Sequence, residues 1–144
     1  MFGLLVLLLG LLGLADAKCP YKLKLETIAP VGNATEYCLG VSQWKGTWCP
    51  SSLTWDLAMK TKERCQKAIQ AVSLDGQPIE DYDIRPASWG KYELFVPNIR
   101  TTTKICLTLK KPCGDLRDLC GGNKNCKYAI REASGLCAYE KCSL

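Results

Sequence analysis

Ten cysteines in a chain of 144 residues are the feature that most limits how this protein can fold. They are Cys19, Cys38, Cys49, Cys65, Cys106, Cys113, Cys120, Cys126, Cys137 and Cys142. An even number of cysteines in a small secreted chain predicts a disulfide framework, although the sequence does not fix the pairing. The alternative is a zinc site, which usually contains histidine or Cys-x-x-Cys, and this chain has neither. We therefore predict disulfides and no metal site.

The amino-terminal segment predicts secretion. Residues 1–14 are apolar, and Ala15-Asp16-Ala17 follows as a small-x-small tripeptide. This pattern is typical of a signal peptide cleaved after Ala17. A membrane anchor is the alternative, but the apolar run is shorter than the roughly 20 residues that span a bilayer. We predict a signal peptide over residues 1–17 and a single domain over residues 18–144, with no membrane contact after cleavage.

The composition also argues against catalysis. The chain has no histidine, which excludes Ser-His-Asp and Cys-His mechanisms. Glu80, Asp81 and Asp83 are close in sequence, but they form neither the spaced carboxylate pair of a glycosidase nor a twelve-residue calcium loop. Basic residues are not clustered in one run, as they often are in nucleic-acid-binding segments. We predict no enzymatic activity, no cofactor and no nucleic-acid partner.

Alternation of apolar and polar residues predicts β-strands. It is clearest at residues 21–25, 53–59, 92–96 and 105–109, with less regular strands at 36–42 and 68–74. Asp75-Gly76 predicts a tight turn into a return strand at 77–79, and further turns are predicted at Pro30–Asn33, Trp48–Pro50, Arg85-Pro86 and Pro97-Asn98. About seven short strands are typical of an antiparallel β-sandwich.

The last third of the chain has a different pattern. Residues 115–120 and 126–133 resemble short helical turns, separated by a glycine-rich stretch and surrounded by cysteines. The predicted fold is therefore mostly β: an antiparallel β-sandwich with a disulfide-rich C-terminal cap containing short helical turns.

Several short motifs, taken in order, resemble the pherophorin domain of green-algal extracellular matrix glycoproteins. They are Cys-Pro-Tyr-Lys-Leu at 19–23, Glu-Tyr-Cys-Leu at 36–39, Ala-Val-Ser-Leu-Asp-Gly at 71–76, Lys-Ile-Cys-Leu-Thr-Leu at 104–109, Cys-Gly-Asp-Leu-Arg-Asp-Leu-Cys at 113–120 and Cys-Lys-Tyr-Ala-Ile at 126–130. The chain departs from the family in opening with one cysteine, Cys19, where two are usual. The last two cysteines of the family are usually adjacent or nearly so, whereas four residues separate Cys137 from Cys142. The chain also lacks the proline-rich rod that family members commonly have.

The resemblance implies a secreted, non-enzymatic domain of the extracellular matrix or cell wall that binds matrix polysaccharide or other matrix glycoproteins. A small diffusible signalling or defence protein of the same fold is the alternative. The absence of a proline-rich rod favours that alternative, because the chain cannot form the stiff polyproline spacer of the larger members.

Three surface features are candidate sites. Asn33-Ala34-Thr35 is an N-glycosylation sequon beside a predicted turn. Trp44 and Trp48, with Trp89 and Tyr92, are candidates for a sugar-stacking platform, unless they pack in the interior as large aromatic residues often do. Dispersed lysines and arginines, with a net charge of +5, indicate either attachment to acidic or sulfated polysaccharide or an ordinary solvated surface.

Overall fold

The structure, a computed structural model, describes residues 21–43, 54–87, 91–100, 104–121, 126–132 and 138–144. Within these ranges the chain forms ten strands and two short helices, so the prediction of about seven strands was too low. The strands are β1 (Tyr21–Val31), β2 (Ala34–Gln43), β3 (Trp55–Thr61), β4 (Ile69–Leu74), β5 (Gln77–Ile79), β6 (Asp83–Pro86), β7 (Tyr92–Ile99), β8 (Lys104–Leu109), β9 (Lys127–Glu132) and β10 (Ala138–Ser143). The helices are a 3₁₀ turn, η1 (Glu63–Cys65), and one α-helical turn, α1 (Leu116–Leu119).

The strands form two five-stranded antiparallel sheets. Sheet A has the order β1-β2-β8-β4-β5, and sheet B has the order β10-β9-β3-β7-β6. Both sheets supply side chains to one buried cluster: Tyr21, Leu23, Tyr37, Leu39, Val72, Ile105, Leu107 and Leu109 from sheet A, and Trp55, Leu57, Met59, Leu94, Val96, Ile99, Tyr128 and Ile130 from sheet B. This shared core confirms the predicted antiparallel β-sandwich, with one face of each sheet turned inward.

Two hairpin turns have the residues that their backbone geometry requires. In the β1–β2 hairpin, Gly32 has φ +62° and Val31 pairs with Ala34, which confirms the predicted turn near Pro30–Asn33. In the β4–β5 hairpin, Asp75 and Gly76 have φ values of 52° and 81°, as a type I′ turn requires. Asp75 also accepts a 2.8 Å hydrogen bond from the Lys104 backbone N–H, which anchors this hairpin to β8.

Two predicted turns were wrong. Arg85 and Pro86 lie in β6 at the edge of sheet B, where proline's missing N–H removes no bond from the interior of the sheet. Pro97 and Asn98 lie within β7, where two residues stand opposite the single residue Asp56 as a β-bulge. Asn98 has φ 58°, and its N–H donates to the Asp56 carboxylate at 3.1 Å. The predicted turn at Trp48–Pro50 lies outside the described residues.

All four edge strands are short or interrupted. Proline lies in β1 at Pro30, in β5 at Pro78 and in β6 at Pro86. The pairing of β1 with β2 shifts register between Leu25 and Thr27, and the pairing of β10 with β9 shifts between Tyr139 and Cys142. These irregularities interrupt the outer margins of the two sheets.

The helical interpretation of residues 126–133 was wrong. Residues 127–132 form β9, which pairs with β3 and β10 inside sheet B. Tyr128 and Ile130 are buried while Lys127 and Arg131 are exposed, so this segment has the period-two alternation of a strand. The predicted cap is therefore reduced to α1 and its surroundings, and β9 belongs to the sandwich.

The other predicted helical turn is confirmed as α1. Asp115 precedes it and accepts a 3.0 Å hydrogen bond from the Arg117 N–H, as an N-cap residue does. Leu116 and Leu119 are buried against the core, so α1 closes one end of the sandwich.

Candidate functional site

Six of the ten cysteines are joined in three disulfides within the described residues. The pairs are Cys38–Cys106, Cys65–Cys113 and Cys120–Cys126, and no cysteine whose sulfur is described is free. Cys19, Cys49 and Cys137 lie outside the described residues, and Cys142 lies in β10. The structure thus supports the disulfide framework for this part of the chain.

One group of potential metal ligands brings Glu36 close to Cys38 and Cys106, with the ligand atoms within 4.8 Å of one another. Both sulfurs are consumed by their mutual disulfide, so Glu36 alone retains a free ligand atom. A single carboxylate does not form a metal site of the kinds that proteins use.

Two disulfides brace one end of the sandwich. Cys65–Cys113 joins η1 to the segment after β8, and Cys120–Cys126 joins the end of α1 to the residue before β9. The backbone N–H of Lys62 also donates to the Leu119 carbonyl at 3.1 Å. The ends of β3 and α1 and the start of β9 are therefore tied together.

Four lysines meet at this braced end, in a cleft of about 250 Å³ that we call the basic cleft. It is lined by Lys60, Lys62, Lys91 and Lys127, with Thr61, Cys120 and Gly121. Strand register explains the convergence, because pairing of Met59 with Tyr128 places Lys60 beside Lys127. Pairing of Thr61 with Tyr92 likewise places Lys62 beside Lys91.

An adjoining hollow of about 560 Å³ extends the basic surface. It is lined by Thr61, Lys62, Glu63, Arg64 and Lys91, so it shares two lysines with the basic cleft. Among the described residues that line the two concavities, Glu63 is the one acidic residue. The two hollows together form a continuous surface with a positive balance of charge.

The cations of the basic cleft have no acidic partner in the part of the chain that the structure describes. All four lysines are exposed, and none makes an ion pair there. The acid opposite Lys60 in the sheet is Glu93, whose carboxylate accepts a 2.7 Å hydrogen bond from Arg85. Arg85 also lies over the Phe95 ring, 3.9 Å from its centroid. Glu93 is therefore already engaged on the far side of β7.

Gly121 shapes one wall of the basic cleft. Its φ of +93° is a conformation that side-chain-bearing residues rarely adopt. A Cβ at this position would also lie 3.2 Å from Cε of Lys62. Glycine at 121 therefore lets the aliphatic stem of Lys62 lie close against the backbone, which holds this lysine at the cleft.

Of the four residues predicted to form an aromatic platform, the structure describes only Tyr92. Trp44, Trp48 and Trp89 lie outside the described residues. Tyr92 begins β7, is partly buried, and stands opposite Thr61 and Pro86. Tyr92 is not among the described residues that line the basic cleft, and the stacking platform stays a prediction.

Asn33 lies in the exposed two-residue turn between β1 and β2. Its side chain is therefore accessible, as a glycan acceptor must be. The acidic residues Glu80, Asp81 and Asp83 are exposed around the connection from β5 to β6.

A separate groove of about 520 Å³ runs between β1 and α1 and has mixed polarity, with Leu25, Tyr37 and Asp115 among its lining residues. The Tyr37 hydroxyl donates to the Gly114 carbonyl at 3.2 Å. Burial, with the nearby Asp115 and Asp118 carboxylates, raises the pKa of Tyr37 above its ordinary 10.0. This hydroxyl is therefore protonated at neutral pH and is a poor general base. Among the described lining residues, Asp115 alone has a carboxylate side chain, and it caps α1.

Comparison with known proteins assigns the chain to a family. The profile of the family described as Pherophorin matches residues 15–143. The chain belongs to the pherophorin family. This pherophorin resembles its relatives over almost the whole sequence, as the motif order predicts, and the family consists of structural glycoproteins of the extracellular matrix. No curated protein matches the chain.

In the described ranges, no helix combines the length and apolar character needed to cross a bilayer.

In the sequence, the four lysines of the basic cleft belong to the dispersed basic residues, and nothing local groups all four together. The Lys60-x-Lys62 spacing at the end of β3 is a local indication, because alternate residues of an extended chain share a face. The contribution of Lys91 and Lys127 depends on long-range strand pairing, which the sequence does not display.

Proposed function

We propose that this pherophorin is a secreted, non-enzymatic component of the extracellular matrix that is held there by binding matrix polysaccharide or matrix glycoproteins. Membership of the family over residues 15–143 is the observation that carries this proposal. In this proposal, residues 1–17 direct secretion and are removed, and residues 18–144 act as one domain.

The disulfides support an extracellular setting. Three bridges in a small β-sandwich are typical of proteins that fold in an oxidising compartment. They suit a domain that must persist outside the cell, because each bridge restricts the unfolded chain.

A structural role agrees with the chemistry of the described side chains. The chain has no histidine, and Asp115 and Asp56 are occupied in a helix cap and a β-bulge. Exposed positively charged surface, by contrast, suits adhesion to acidic polymers.

Fractionation of the producing cells tests the proposal. A tagged full-length protein is expressed, and culture medium, salt extract and residual matrix are compared by immunoblot. We expect retention in the matrix until salt extraction, with an amino terminus at Lys18. Recovery of the protein free in the medium would contradict matrix retention and favour a diffusible protein.

The diffusible alternative has one observation in its favour. The sequence has seven prolines and no proline-rich run, and three of them lie in edge strands of the sandwich. A domain without a polyproline rod lacks the extended spacer that suits a long crosslinker.

A further inference from the structure

We propose that the basic cleft of Lys60, Lys62, Lys91 and Lys127 binds anionic groups of matrix polysaccharide, namely sulfate esters or uronate carboxylates. The inference rests on the proposed matrix function and assigns that function a site. It goes beyond overall basic charge, because it names four lysines that the fold brings together from three separate segments.

Four positive charges converge on the basic cleft. The lysines come from the end of β3, the residue before β7 and the first residue of β9, and all line one cleft. Like charges around a common cleft repel one another, and none of these lysines has an acidic partner among the described residues. An anion placed between them relieves that repulsion and interacts with several ammonium groups at once.

A disulfide and a backbone hydrogen bond hold the basic cleft in place. Cys120 lines it and is bonded to Cys126, which immediately precedes Lys127. The Lys62 backbone is hydrogen-bonded to Leu119, and its stem lies against Gly121. These residues are already ordered before a ligand binds. Binding therefore costs less free energy than it would at a flexible site.

The dimensions indicate a polymer. The basic cleft, at about 250 Å³, is smaller than the pockets of roughly 300–1,000 Å³ that enclose drug-sized ligands. It opens towards a larger hollow that shares Lys62 and Lys91 and adds Arg64. A charged sugar unit in the cleft could therefore continue into a neighbouring unit over the hollow. Lysine also suits this role, since its ammonium acts as a point charge and does not demand one planar geometry.

The test uses the secreted, oxidised protein and three probes: a sulfated polysaccharide (carrageenan), polygalacturonate, and a desulfated form of the first. Binding is measured by calorimetry at low and physiological salt. We expect affinity for one or both anionic probes and none for the desulfated polymer. Preference for carrageenan assigns sulfate esters as the ligand, and preference for polygalacturonate assigns carboxylates.

Matched double variants locate the site. Lys62→Gln with Lys127→Gln removes two charges from the basic cleft, while Lys22→Gln with Lys24→Gln removes two exposed charges from β1. We expect about a tenfold or greater loss of affinity in the cleft variant, equivalent to about 1.4 kcal/mol or more. The β1 variant should change affinity by less than about threefold. Circular dichroism and intact-disulfide mass confirm that both variants fold.

Equal losses in the two variants would overturn the proposal in favour of diffuse charge attraction. Binding of neither polysaccharide, or capture of an acidic matrix glycoprotein alone, would also overturn it. Fractionation separates this failure from failure of the proposed function. A protein that is held in the matrix yet binds neither probe is still a matrix component, and loses only this site assignment.

Discussion

The rings of Tyr21 and Trp55 stack inside the sandwich, with centroids 5.0 Å apart and planes 8° from parallel. Tyr21 belongs to β1 of sheet A and Trp55 to β3 of sheet B, and both are fully buried. The stack therefore joins the two sheets directly. It also accounts for one tryptophan of the chain as a core residue and not as part of a ligand surface.

Replacing Trp55 with alanine should destabilise the domain by about 3–5 kcal/mol, because it leaves a large cavity between the sheets. Trp55→Phe should cost much less, since it keeps a ring against Tyr21. The indole Nε1 of Trp55 is buried and has no hydrogen-bond partner among the described residues. Removing this N–H therefore leaves no described acceptor unpaired. Chemical denaturation followed by circular dichroism measures both values, and equal losses would contradict a role for the stack.

Tyr128→Phe should destabilise the fold by about 1–3 kcal/mol, because it leaves a buried donor unpaired. The Tyr128 hydroxyl accepts from the Leu23 N–H at 3.1 Å and donates to the Tyr21 carbonyl at 3.4 Å. These bonds link β9 of sheet B to β1 of sheet A. Denaturation of the variant checks the value, and an unchanged midpoint would show that water replaces the hydroxyl.

Stability should also fall at alkaline pH. Burial raises the pKa of Tyr128 above its ordinary 10.0, so the folded chain keeps this proton when the unfolded chain releases it. The contribution is complete below about pH 10 and is lost as pH rises towards the higher folded-state pKa. As pH rises above about 10, we expect the wild type to lose more stability than Tyr128→Phe. Parallel slopes in denaturation curves would contradict this linkage.

The disulfides should differ in how much they stabilise the fold. Cys65–Cys113 spans 48 residues and Cys120–Cys126 spans 6. Loop-closure entropy predicts losses of about 4 and about 2 kcal/mol when each pair is replaced by alanines. Thermal or chemical denaturation of the two double variants gives the ranking, and a greater loss for the shorter loop would contradict it.

We expect Asn33 to carry an N-linked glycan, because its sequon lies in an exposed hairpin turn. Thr35→Ala should abolish glycosylation and Thr35→Ser should keep it. Mass spectrometry before and after enzymatic glycan removal provides the measurement. A wild-type protein of identical mass in both states would show that the sequon is unused.

The strands that sequence patterns predicted best are those with one face in the core. β3 and β8 alternate clearly, and Leu57, Met59, Ile105 and Leu107 are buried as expected. β9 was missed because Ala129 stands between Tyr128 and Ile130, so polar and apolar residues do not alternate strictly, and the neighbouring cysteines suggested a cap. The β7 bulge was missed because Pro97-Asn98 indicates a turn locally, while pairing with β3 keeps both residues in a strand.

The candidate site was less predictable than the fold. The basic cleft depends on which strands become neighbours, because Lys91 and Lys127 come from segments about 30 and about 65 residues further along the chain than β3. Local composition carries no information about that pairing. The cysteine motifs, which are local, did indicate the family.

The interrupted edge strands have a consequence for how two copies of this domain can meet. A long, regular edge offers unpaired backbone groups to a second chain and promotes amyloid-like aggregation. Here prolines and register shifts interrupt the row of unpaired backbone groups at each of the four edge strands. The prolines are Pro30, Pro78 and Pro86, and the register shifts lie in β1 and β10. Edge-to-edge strand pairing between two copies of this domain is therefore disfavoured, which leaves contacts between their side chains as the route to association.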